Sequence, residues 1–314
     1  MTESPKTKTG PHQSDRSDAV IPSLSSSFPR WPSMLMVLAL ALLSPIACPA
    51  VEQEGSILKA LLARPLKERL VEQQEQLVAE NTAAIDEHRQ AGAAVADILC
   101  ERALAYARLG KKQEALNDMQ AALAERPNPA PSLIRCKADV DYINGDMKSS
   151  EANYARAIAQ GQTDGNTYFQ RAMANHLLGK FREASDGFAL AFDRYTEQAD
   201  KVRAEAMRLI ALRRQNPRAR VTARIAAEDS WPGVILAAAD GSKNDEEVLR
   251  QVHHRADDEL ESALADAYFY LAEINLVEGN RIKALVYFER SADKGVLPSP
   301  LRPAARTEYA HMHR

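Results

Sequence analysis

The chain contains few glycines and few aromatic residues. Thirteen glycines and an aromatic content of 6% accompany abundant alanine in 314 residues. This composition favours helices, and a helical chain can be long without dividing into separate globular domains. The sequence therefore indicates an all-α protein.

A strong net charge is also missing. Forty basic and forty-three acidic residues leave a formal charge of −3. Such a balance gives no global field that would attract nucleic acid or an anionic membrane surface. We therefore expect no nucleic-acid partner. The basic strip RRQNPRAR, together with Arg224, could meet an acidic protein face or lipid phosphate, or it could be plain solvated surface.

Catalytic and cofactor motifs are absent from the sequence. It contains no phosphate loop, dinucleotide glycine pattern, GxSxG elbow, HExxH or CxxC. The densest titratable run, HHRADDE (253–259), would offer His254 and Asp258 to a metal ion, but a solvated helix face explains it without further assumption. We expect no enzyme, no cofactor and no metal site. A metal-dependent hydrolase built on this run is the remaining enzymatic alternative.

The first fifty residues have the layout of a leader and an export signal. Residues 1–29 are rich in Ser, Pro and Thr and show no periodicity. Arg30 then precedes a short apolar run, Met34–Leu43, which small residues follow, as in a secretory signal. The apolar run is about half of the roughly 20 residues that a spanning helix needs. The sequence predicts export.

The segment SPIAC, which ends at Cys48, resembles a bacterial lipobox. Ala47 supplies the small residue before a cysteine that would be cleaved and lipidated. Pro49 follows, and the usual sorting rule would send such a lipoprotein to the outer membrane, facing the periplasm. The alternative is ordinary cleavage after Ala50, which leaves a soluble periplasmic protein.

A helical hairpin recurs with a period close to 34 residues. Small residues would let its two helices approach closely, a large apolar residue would fill the space between neighbouring repeats, and glycine would end the first helix. The turn glycines are Gly110, Gly145, Gly179 and Gly279. The small residues occupy three positions in each copy. Before the glycine, on the first helix, they are Ala103, Ala138, Ala172 and Ala272. After it, on the second helix, they are first Ala115, Ser150, Ala184 and Ala284, and further along Ala122, Ala157, Ala191 and Ser291. The large residues are Met119, Tyr154, Phe188 and Phe288.

These hairpins resemble the tetratricopeptide repeat, with copies at 96–129, 131–164, 165–198 and 265–298. The prediction is an all-α solenoid with N-terminal helices in 51–95, degenerate helical hairpins in 199–264 and a capping helix in 299–314. Polar residues stand where the repeat usually has leucine or an aromatic residue, and we expect the irregular copies to be the places that bind partners. These positions are Arg102, Lys137, Arg171, Asp141, Asn175 and Asn275.

One face of the first helix in each hairpin would line the concave side of the solenoid. Arginine and aromatic residues there are typical interface anchors. The same residues could instead pack against the chain's own terminal helix. The predicted groove residues are Arg135, Asp139, Tyr142, Phe169, Met173, His176 and Leu177.

Two cysteines fall on the first helices of successive repeats. Cys100 and Cys136 could form a disulfide in an oxidising compartment if Cys48 is lipidated. Buried free thiols are the simpler interpretation.

The order of segments from Leu61 to Met312 resembles the NlpI family of tetratricopeptide lipoproteins. LARPL, ERALAYARLG and YLAEINLVEGN follow one another in that order. The resemblance implies a non-enzymatic, homodimeric adaptor at the inner face of the outer membrane that brings peptidoglycan hydrolases, particularly murein endopeptidases, to a tail-specific protease or into synthesis complexes. The helices before the first and after the last repeat would form the dimer. The alternative is a soluble periplasmic repeat protein that binds peptides or secretion components.

Overall fold

Helix follows helix through the part of the chain that the computed structural model describes, which comprises residues 66–126, 128–253, 257–294, 299 and 301–313. All of these residues belong to one unit, Ala60–Arg314. The export signal, Cys48 and His254 lie outside the described residues. None of the described helices is both long and apolar enough to cross a membrane.

The described helices pack mainly against their neighbours in the chain, which is the arrangement of a solenoid. The predicted all-α solenoid of helical hairpins is confirmed. The helices are α1 (Leu66–Gln90), α2 (Ala96–Arg108), α3 (Lys112–Ala124), α4 (Pro131–Ile143), α5 (Met147–Ala159), α6 (Gly165–Leu177), α7 (Phe181–Arg194), α8 (Gln198–Gln215), α9 (Val234–Asp240), α10 (Asp245–Val252), α11 (Asp257–Val277), α12 (Arg281–Lys294) and α13 (Leu301–Met312).

Four hairpins, α2–α3, α4–α5, α6–α7 and α11–α12, coincide with the repeated pattern. Their turn glycines have φ angles between 73° and 84°. A Cβ atom at any of them would meet nothing within 4 Å, so glycine is required for its backbone conformation and not for space. The glycine ends the first helix and lets the chain turn into the second.

The small and large positions of the pattern form the interior of these hairpins. All sixteen are at most 1% exposed. Where serine replaces alanine, its hydroxyl is satisfied: Ser150 donates to the carbonyl of Ala138 at 3.0 Å, and Ser291 donates to that of Ala265 at 2.8 Å. A hydroxyl can therefore stand at the helix crossing without leaving an unpaired polar group.

Charged residues at the irregular positions form ion pairs inside the solenoid. Two nitrogen atoms of Arg102 donate to the Asp118 carboxylate at 2.7 Å each. Lys137 pairs with Asp141, four residues further along α4. Arg171 reaches Glu151 on α5 at 2.9 Å. Each of these charges therefore has a counter-charge within the chain, and the role of the irregular copies in binding partners stays a prediction.

The segment between the third and fourth hairpins is tied down by a buried carboxylate. Glu205 on α8 has a fully buried side chain and accepts hydrogen bonds from Arg208 at 2.6 and 2.9 Å. The backbone N–H and the Nε of Arg224 each donate to it at 2.9 Å. Burial opposes ionisation, but these hydrogen bonds outweigh it and lower the pKa of Glu205.

Several arginines of the basic strip RRQNPRAR, and Arg224 with it, make contacts within the chain. The guanidinium of Arg224 lies 3.9 Å from the centre of the Phe192 ring. Arg213 donates to the carbonyl of Ala239 at 2.9 Å. Arg218 and Arg220 remain exposed. Part of the strip is therefore structural, because its arginines hold the segment that follows α8 against the rest of the chain.

A disulfide joins the first helices of the first two repeats. Cys100 on α2 is bonded to Cys136 on α4, and their Cα atoms are 6.2 Å apart. The free-thiol interpretation of these residues is corrected. The positions of the two cysteines in the sequence could not show whether they are bonded, because only the stacking of α2 on α4 brings their side chains together.

We expect the disulfide to contribute about 3 to 4 kcal/mol to the free energy of unfolding, because it closes a long loop in the unfolded chain. Reductant should lower the denaturant midpoint of the wild type. The variant with Cys100→Ala and Cys136→Ala should start at a lower midpoint and not respond to reductant. An equal midpoint for the oxidised wild type and the double variant would contradict this expectation.

Candidate protein-binding cleft

The C-terminal helix begins on the inner surface of the solenoid. A cavity of about 160 Å³ lies between α2, α4, α6 and the start of α13. A second cavity, of about 320 Å³, lies between α6, α8, α11 and the same start of α13. Gln170 and Ser299 line both cavities, so the two adjoin. We call them together the inner cleft; its polar lining includes Arg108, Arg135, Asp139, Asn166, Gln170, Asp200, Arg203, Ser262, Asp266 and Ser299.

Two of the predicted groove residues line the inner cleft with partly exposed side chains. Those of Arg135 and Asp139 are 33% and 22% exposed. Their binding role stays a prediction.

The other five predicted groove residues are not on an open surface. They are at most 6% exposed: Tyr142, Phe169, Met173, His176 and Leu177. Four of them nevertheless line cavities: Tyr142 and Phe169 belong to the inner cleft, and His176 and Leu177 line a separate cavity. The ring of Phe169 packs against those of Phe188 and Tyr195, with centroids 5.3 and 6.4 Å away. The chain's own elements therefore bury these five side chains, and their binding role stays a prediction.

The charged groups of the smaller cavity balance one another. The Asp139 carboxylate accepts a hydrogen bond from the Tyr154 hydroxyl and lies 3.8 Å from the Nε of Arg135. Burial raises the pKa of Asp139, although Arg135, Tyr154 and Arg108 oppose the shift. Burial likewise lowers the pKa of Arg108. Both shifts reflect a site in which solvent is largely excluded.

Two buried polar atoms at this cavity have no hydrogen-bond partner among the described residues. They are the Nε of Arg135, a donor, and the Oε1 of Gln170, an acceptor. An unpaired buried polar atom costs about 1 to 3 kcal/mol, so a ligand or ordered water that pairs with it is favoured. A peptide backbone offers both a donor and an acceptor.

Opposite charges also pair in the larger cavity. Arg203 donates to Asp200 at 3.0 Å, and the Ser299 hydroxyl donates to Asp266 at 2.8 Å. Burial raises the pKa of Asp266, against the effects of Ser299 and Arg203. The Tyr270 hydroxyl is buried without a hydrogen-bond partner in the described residues. The inner cleft is thus lined by charges of both signs, which suits a polar protein segment better than a ligand of one charge.

Sequence reasoning missed several members of the inner cleft. Gln170, Arg203, Asp266 and Ser299 belong to no motif, and they lie on different elements that only the folded chain brings together. The repeat pattern indicated the inner face of α4 and α6. It left open whether the terminal helix packs on that face, and the structure places the start of α13 there.

A family model described as tetratricopeptide repeat matches residues 96–129. These are the bounds of the first repeat, α2–α3. No curated protein matches the chain. The chain therefore contains a tetratricopeptide repeat within a helical solenoid, the kind of scaffold that binds other proteins.

We expect Tyr154→Phe to destabilise the fold by about 1 to 3 kcal/mol, because it removes a hydrogen-bond donor from the buried Asp139 carboxylate. The pKa of Asp139 should rise further, since Tyr154 is one of the groups that lower it. Chemical denaturation measures the first effect and NMR titration of the carboxyl carbon the second.

Tyr106→Phe is the matched control. The Tyr106 hydroxyl makes no hydrogen bond within the described part of the chain, although its ring contacts Arg102 and Lys111. This variant should stay within about 0.5 kcal/mol of the wild type. Equal losses of stability in the two variants would show that the hydroxyl of Tyr154 has no special role.

Proposed function

We propose that this protein is an exported, non-enzymatic scaffold that binds other proteins of the bacterial envelope through the inner cleft. The observation that carries the proposal is a pair of buried atoms in that cleft, Arg135 Nε and Gln170 Oε1, which have no hydrogen-bond partner among the described residues. They lie in a solenoid that contains a tetratricopeptide repeat. The solenoid is stacked and disulfide-linked, so the cleft is formed before a partner arrives. Such preorganisation reduces the entropy lost on binding.

The proposed location in the bacterial envelope is inferred from the N-terminal leader. A secretory signal and the lipobox-like SPIAC would export the chain and attach it through Cys48 to the outer membrane, facing the periplasm. The disulfide between Cys100 and Cys136 is consistent with an oxidising compartment.

The adaptor role rests on the resemblance to NlpI-type lipoproteins. Under this proposal the protein holds a murein endopeptidase and a tail-specific protease on one scaffold. Each partner then meets the other at a high effective concentration, and no new contact between the two is needed. The result would be control of cell-wall hydrolysis through proteolysis.

Homodimerisation through the N-terminal helix belongs to the same proposal. On α1, Leu70, Val71, Leu77 and Val78 each remain partly exposed. On α13, by contrast, Leu301, Ala304 and Ala305 are buried within this chain. The α1 surface is therefore more available than α13 for contact with a second copy of the chain. The start of α13 instead lines the inner cleft.

A pull-down from detergent-solubilised envelopes tests the adaptor role. The wild type should enrich a peptidoglycan hydrolase or a tail-specific protease, identified by mass spectrometry. Arg135→Glu and Gln170→Ala should each reduce that enrichment about tenfold or more, as expected for central interface residues. Circular dichroism would show that both variants are folded.

Arg250→Glu is the control for a surface charge reversal. The side chain of Arg250 lies on α10, 61% exposed, and its counter-charge Glu246 is on the same helix. This variant should bind as the wild type does. The proposal fails if neither class of enzyme is enriched, or if the two cleft variants bind as well as the Arg250 variant.

Metabolic labelling with a palmitate analogue tests the lipid anchor. The wild type should be labelled and should partition with the outer membrane, whereas Cys48→Ser should be unlabelled. Equal labelling of both, or of neither, would favour the alternative of a soluble periplasmic peptide-binding protein. That outcome would leave the role of the inner cleft to be decided by the pull-down.

A further inference from the structure

Three buried side chains from three helices meet beneath a separate cavity of about 660 Å³. They are His176 on α6, Glu273 on α11 and Glu308 on α13, and each offers one ligand atom within 4.8 Å of the others. The side chains of His176 and Glu273 are fully buried, and that of Glu308 is 7% exposed. The mechanism of partner binding proposed above does not use them.

Several polar atoms of this cluster have no hydrogen-bond partner. Both ring nitrogens of His176 and the Oε1 of Glu273 are buried without one. The Nε2 of His176 lies 3.0 Å from the other carboxylate oxygen of Glu273, which is within ion-pair distance, so this edge of the cluster already has an internal contact. Carboxylate oxygens and a neutral imidazole nitrogen are lone-pair donors. Their convergence therefore favours a ligand that accepts lone pairs.

The charges of the cluster also favour a bound cation. Two buried carboxylates meet one guanidinium and one imidazole: Arg214 lies 3.0 Å from Glu273 and 3.9 Å from Glu308, and His176 lies 3.0 Å from Glu273. A divalent cation would relieve the like-charge repulsion between the two carboxylates.

Arg214 leaves room for such an ion. Its contact is to Oε2 of Glu273, so Oε1 stays available. The guanidinium also lies over the Phe181 ring, 4.9 Å from the centroid, which holds it to one side. Arg214 would then orient the carboxylates from outside, as groups around metal ligands commonly do.

We propose that His176, Glu273 and Glu308 bind a divalent transition-metal ion, with Zn²⁺ as the first candidate. One imidazole and two carboxylates suit Zn²⁺, Mn²⁺ or Fe²⁺ better than Ca²⁺ or a copper ion. Three protein ligands would leave a further coordination position for water. His176 and Glu308 line the 660 Å³ cavity, from which water could reach the ion. The ion would fasten α13 to the third and fourth repeats.

The full-length protein, treated with chelator and dialysed, tests this site. Elemental analysis should find one Zn²⁺ per chain after Zn²⁺ is added and excess removed, and calorimetry should give a single site. Saturation should raise Tm by roughly 5 to 10 °C. Glu308→Gln and His176→Gln, which nearly keep the side-chain volumes, should each weaken Zn²⁺ binding about 100-fold or more.

His253→Ala is the control, because it removes a histidine from the titratable run HHRADDE. His253 is exposed, and its Nδ1 lies 2.6 Å from the carbonyl oxygen of Leu249. This variant should bind Zn²⁺ as the wild type does. The proposal is overturned if the wild type binds no stoichiometric ion, if His176→Gln and Glu308→Gln bind as tightly as the wild type, or if His253→Ala loses binding equally.

Discussion

The close crossing of the two helices in each hairpin is the constraint on which the rest of the structure depends. Small residues at the crossing points let the two helices approach closely, and the large residue of the second helix fills the space beside them. All sixteen small and large positions of the four hairpins are buried. Each hairpin buries only part of its apolar surface, so it must stack on its neighbour. The inner surface and everything placed on it follow from that stacking.

Stacking also determines what the irregular positions must do. Arg102, Lys137 and Arg171 are only partly exposed, and their charges have counter-charges nearby. Each is matched within the same hairpin or the preceding one. These departures from the repeat therefore add ion pairs within the solenoid, and their role in binding partners stays a prediction.

The return of α13 gives the inner surface its chemistry. Where α13 begins, Ser299 joins two cavities and pairs with Asp266, while Glu308 approaches Glu273 and His176. One short helix thus borders both the inner cleft and the proposed metal site.

The sequence by itself determined the all-α class, the period of the hairpins and the identity of their turn glycines, because these follow from local helical spacing and backbone conformation. It also indicated Arg135 and Asp139 as accessible inner-face residues. Only the tertiary structure decided that Tyr142, Phe169, Met173, His176 and Leu177 are covered, that Cys100 is bonded to Cys136, and that His176, Glu273 and Glu308 converge. The physical reason is that these outcomes depend on contacts between distant elements, and periodicity within a single helix carries no information about which distant helix will cover it.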